Sequence, residues 1–140
     1  MVDFDPNIRT RTLARIVGPY MLVIGLTLLT RQSLFSDILT TFMADPALVL
    51  STGAFTLIVG LSMITAHHHY SSAAAIVLSL IGIAAAFKGA WLMIAPEWGA
   101  ATTEAMAAAP WSLTAAAAFE LALGAWLTFV GWFAKSPTRS

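Results

Sequence analysis

The chain has no cysteine, which excludes disulfides, thiolate catalysis and cysteine-held zinc or iron–sulfur centres. It has little charge: Asp, Glu, Lys and Arg make up 10% of its 140 residues, where a soluble domain carries about a quarter. Neither sign is in excess, because seven Lys and Arg balance seven Asp and Glu. A nucleic-acid binder needs a basic surplus to hold phosphates, so no nucleic-acid partner is expected. A phosphate-cradling glycine loop, a GxSxG elbow and an HExxH helix are all missing. Ser33, Ser36, Ser71 and Ser72 lack an Asp/His constellation in a span. No catalytic residue, metal or cofactor is expected, and the protein reads as a non-enzyme.

What is present is apolar surface. Hydrophobic residues reach 59%, with five Trp and eight Phe, and no polar coat remains to keep a globule in water. The expected class is an all-α integral membrane protein, a single membrane domain built as a four-helix bundle. A bilayer core needs about 20 apolar residues per crossing. Four segments qualify: 13–30, 46–66, 73–95 and 111–134. Arg15 lies near the start of the first, and Pro19 should kink that helix or leave only the residues after it cleanly helical. Asp45-Pro46 signals an N-cap followed by Pro at the first helical position, Ser72 and Pro110 can open the third and fourth spans, and Pro96 closes the third.

Between the first two spans, residues 32–43 place Leu34, Phe35, Ile38, Leu39, Phe42 and Met43 at helical spacing, with Ser33, Ser36, Asp37, Thr40 and Thr41 opposite. Such a helix lies in the interface plane; the alternative is a lid over a cavity. The 15-residue Ala/Thr-rich connection from Glu97 to Trp111 reads as filler or a second short interfacial helix.

Cations set the orientation. Arg9, Arg11 and Arg15 lead into the first span and Lys135 and Arg139 follow the fourth, while the intervening connections hold Arg31 against Asp37, Asp45, Glu97 and Glu104. Lys and Arg gather on the cytoplasmic side, which puts both termini inside, in a cytoplasmic (inner) membrane. Tyr70 and Trp132 then mark the inner interface, and Trp98 and Trp111 the outer. Asp3 and Asp5 spoil a basic leader, so the N-terminus reads as a retained anchor.

Eight of the nine glycines form pairs seven residues apart, one pair per span: Gly18/Gly25, Gly53/Gly60, Gly82/Gly89 and Gly124/Gly131. Two helical turns separate the members, so each pair forms a small-residue stripe for close helix packing in lipid. The pattern hints at a duplicated hairpin, with spans one and two resembling spans three and four. The seams either pack statically or let helices rock, as in transporters.

Two ionisable residues lie deep in spans, Lys88 and Glu120. They stand about 12 and 15 Å from the same ends of antiparallel helices, and Glu120 points within about 40° of the Gly124/Gly131 stripe. An intramembrane Lys88–Glu120 ion pair is expected, either fixing which helix docks where or forming a proton or substrate site. His67, His68 and His69 close the second span. Consecutive helical positions diverge by about 100°, so the run cannot converge on one ion. It reads as an interfacial stretch meeting anionic headgroups, the alternative being one axial haem ligand or a quinone contact.

Four short spans with small polar ends resemble the small multidrug resistance transporters, and also small bacterial tetraspan proteins. The transporters' essential embedded Glu is in the first helix without a Lys counterion, whereas Glu120 is in the fourth span. Three functions follow in order: a structural or accessory component, as a homo-oligomer or a subunit of a larger membrane complex; a small-molecule or ion transporter using Glu120; and a haem- or quinone-binding electron-transfer protein using His67–His69.

Overall fold

The structure, a computed structural model, describes residues 6–66 and 72–134. Its elements are α1 (Pro6–Thr30), a 3-10 turn (Gln32–Leu34), α2 (Phe35–Ala44), α3 (Pro46–Ala66), α4 (Ala73–Ile94), α5 (Pro96–Ala107) and α6 (Pro110–Trp132). The described residues are all-helical. Four of the helices, α1, α3, α4 and α6, are long and apolar enough to cross a membrane.

The helix starts have visible chemical causes. The Asp45 carboxylate accepts from the backbone N–H groups of Ala47 and Leu48 at 3.0 and 3.1 Å, satisfying two donors that open α3. The Ser72 hydroxyl accepts from Ala75 N–H at 3.2 Å, and Pro110 supplies a preset φ at the head of α6. Two expectations are corrected. The first helix begins at Pro6, well before Leu13, and runs unbroken through Pro19. Proline removes the N–H that would bond the Arg15 carbonyl, but α1 is clamped to α6 on both sides of that gap. The connection after Pro96 is not filler but the helix α5, which bridges the ends of α4 and α6 and meets α2.

The four long helices associate as two pairs, α1 with α6 and α3 with α4, joined mainly where α1 meets α4. The duplicated hairpin is therefore not the packing unit: the chain's two ends pair around a central hairpin. Both pairs are antiparallel. In one, Gly25 faces Ala117 and Leu121, Gly18 faces Gly124 and Thr128, and Gly131 faces Ala14 and Arg15. In the other, Gly53 faces Gly89 and Gly60 faces Gly82 and Ala86. The closest approach is at Gly60, where an added Cβ would overlap the Ala86 backbone. There the second helix touches bare backbone, and only glycine permits it.

The core that joins the pairs lies toward the end carrying the termini. It is built from Ala14, Met21, Met63, Ala74, Leu78 and Leu127, flanked by Leu13, Val17, Val77, Ile81, Leu123 and Val130. Leu78 and Leu127 are wholly buried. No residue of this core comes from the half of the bundle next to α2 and α5. In that half the glycine contacts at Gly25 and Gly53 hold each pair together internally.

Candidate functional site

Helical phase relates the two embedded charges to this core. Seven residues bring a helix back to within about 20° of the same direction. Glu120 therefore shares the face of α6 that carries Leu127, and Lys88 the face of α4 that carries Ile81 and Ala74. The faces that close the joint core at one end carry Lys88 and Glu120 at the other. Lys88 is exposed there and Glu120 half-buried. The Lys88 ammonium exerts a coulombic pull on the Glu120 carboxylate, but among the described residues no ion pair at 4.0 Å or closer is drawn between them. The two charges look onto the same gap without contact.

An aromatic cluster lies beside this gap. Phe87 and Trp91 meet edge to face at 5.0 Å between ring centres, and Trp91 meets Trp98 of α5 at 6.0 Å. The Trp91 indole N–H is buried with no acceptor among the described residues. Sequence reading missed this cluster, for which the i, i+4 spacing of Phe87 and Trp91 was the available signal. Trp98, Trp111 and Trp132 are all exposed, with Trp111 and Trp132 at opposite ends of α6.

The role of the first helix's arginines was also missed. Arg15 Nε donates to the Gly131 carbonyl at 2.8 Å, and an Arg11 guanidinium nitrogen to the Ala134 carbonyl at 2.7 Å. Both carbonyls belong to the end of α6, where acceptors lack intrahelical donors and the helix dipole is negative. The Arg15 guanidinium also sits 5.5 Å from the centre of the Trp132 ring, a cation–π distance. Two arginines at i, i+4 leading into a span were the legible signal. At the other end of this pair, Gln32 Nε2 donates to Thr114 Oγ1 at 3.1 Å.

The eight paired glycines line the two helix seams. His67, His68 and His69 lie outside the described residues. An open groove of about 440 Å³ is lined by Arg31, Leu34, Asp37, Ile38, Thr41, Phe42 and Leu48, on the apolar flank of α2. Among the described residues, no group of three or more His, Asp or Glu could hold a metal ion. Searches against protein-family models, curated proteins and solved structures find no match to the chain.

Proposed function

We propose that the chain is a small non-enzymatic integral membrane protein, a structural or accessory component of a larger membrane assembly. In this reading both termini face the cytoplasm, α2 and α5 lie in the outer interface of the cytoplasmic membrane, and lipid is the solvent for the exposed side chains. The observation that carries the reading is Lys88. Exposed apolar residues such as Phe55, Ile58, Ile94 and Phe129 are at home in lipid, but an exposed ammonium on an apolar helix is not. A cation at the centre of a membrane helix costs about 2.5–3.5 kcal/mol on insertion scales. The chain's own carboxylate, Glu120, does not directly offset that cost, so a counter-charge from outside the chain does.

Native mass spectrometry of the protein released gently from its own membranes tests this. A complex heavier than one chain is the expected result, and a bare monomer overturns the reading. A second reading, transport, draws on a separate observation: Glu120 faces the gap between the helix pairs. It expects substrate flux in proteoliposomes that Glu120→Gln abolishes. Flux unchanged by that substitution removes it.

A further inference from the structure

The accessory reading leaves the partner's identity open, and the placement of the two charges narrows it. One face of the bundle, shared by α4 and α6, carries a single cation and a single anion. Measured from the ends of their helices, the two lie at nearly equal depth, about 12 and 15 Å. They are near enough to act on one another and are not in direct contact. A surface with one charge of each sign at one depth is complementary to itself under a two-fold rotation about the membrane normal. Such a rotation brings residue i against j and j against i.

We propose that this face is an isologous interface with a second copy of this chain, in which Lys88 of each copy pairs with Glu120 of the other. The inference rests on the reading that the protein works within an assembly. Around the axis the four charges alternate in sign, so each ammonium has a carboxylate on either side. Next to α2 and α5 the two helix pairs of one chain share no core, which leaves this face available. The side chains around Lys88 suit a helix partner: Ala84, one turn away, is small and exposed, and Phe87 is 62% exposed. A partner of different sequence would need only a carboxylate for Lys88, and Glu120 would then have no assigned role.

The test uses a charge exchange between chains. A Lys88→Glu chain carries two acids at this face and a Glu120→Lys chain two bases, so neither self-associates, but together they form a heterodimer with both pairs restored. Differently tagged, each chain expressed alone should show at least tenfold less dimer than wild type by native mass spectrometry. Co-expression should return dimer to the wild-type level. If the pair instead closes within one chain, each variant fails alone and together, which overturns the proposal. Persistence of dimer in either single variant also overturns it.

A second measurement does not depend on those variants folding. The chain has no cysteine, so Ala84→Cys in the otherwise native protein can form disulfides or short bismaleimide links only between copies. Dimer-sized product in native membranes is expected, and its absence overturns the proposal. A wild-type complex that contains other subunits but one copy of this chain refutes the dimer and keeps the accessory reading. A wild-type monomer refutes both.

Discussion

The two helix pairs use the same seam chemistry under different constraints. The α3–α4 pair is a hairpin whose helices end at Ala66 and resume at Ala73, whereas α1 ends at Thr30 and its partner α6 begins at Pro110. Closing the longer connection costs about 2 kcal/mol more in chain entropy. The α1–α6 pair is also the one fastened by arginines. Arg11 and Arg15 grip the carbonyl end of α6, while Gln32 ties the opposite end to Thr114. Within α3 and α4 the one charged residue is Lys88, which faces away from the seam. The local hairpin can rely on glycine-mediated contact, and the pair made from the chain's ends adds charged hydrogen bonds of about the size of its extra entropy.

The largest expected effect breaks the hairpin seam. Gly60→Leu drives a branched side chain into the Ala86 backbone, and the helices must separate. A loss of at least about 3 kcal/mol in folding stability is expected, read as a lower denaturant midpoint in micelles. Gly25 is the counterpart in the other seam. The atom nearest an added Cβ there is Leu121 Cγ at 2.8 Å, on a side chain that can turn away. Gly25→Ala should therefore cost no more than about 1–2 kcal/mol. Equal losses would mean the seams do not differ in tightness.

Next comes the arginine clamp. Arg15→Ala removes the bond to Gly131 and the Trp132 contact, and about 1.5–3 kcal/mol should be lost. The loss should fall on α1 and α6, so limited proteolysis should cut near the chain's ends before it cuts the α3–α4 hairpin. A smaller effect of opposite sign is expected at Gly99, the one glycine outside the seams. The nearest atom to an added Cβ is 3.6 Å away, so Gly99→Ala should leave packing intact and stabilise α5 by up to about 1 kcal/mol. The smallest effect belongs to Trp91→Phe, which removes an indole N–H that has no acceptor among the described residues. It should change stability by no more than about 0.5 kcal/mol; a larger loss would reveal an acceptor for that N–H within the membrane.

Much of the local structure was legible because it is set by nearest neighbours. Asp45 next to Pro46 and Ser72 ahead of an alanine run are caps, and apolar runs of about 20 residues bounded by them can only be long helices. The continuity of α1 through Pro19 was not legible, because the propensity against it is local and the clamp that overrides it comes from residues more than a hundred positions away. The arginines were read as markers of sidedness, since a cation count carries no information about which carbonyl a guanidinium reaches. For Lys88 and Glu120, helical phase and depth indicated that they share a region, but contact depends on how far apart the two helix pairs stand in that half.

Sequence by itself determined the class of molecule, the four apolar helices, the small-residue stripe on each and the depth of the two embedded charges. These follow from composition and from the 3.6-residue period, both properties of a single segment. Only the tertiary structure decided which stripe meets which: four helices with equivalent glycine pairs can be matched in several ways, and seam chemistry alone does not choose among them. The choice was made by long-range terms, the arginine grip of α1 on α6 and the shared core of Met21, Leu78 and Leu127. The same core, placed toward one end, holds the two pairs together there and leaves the charged faces apart at the other.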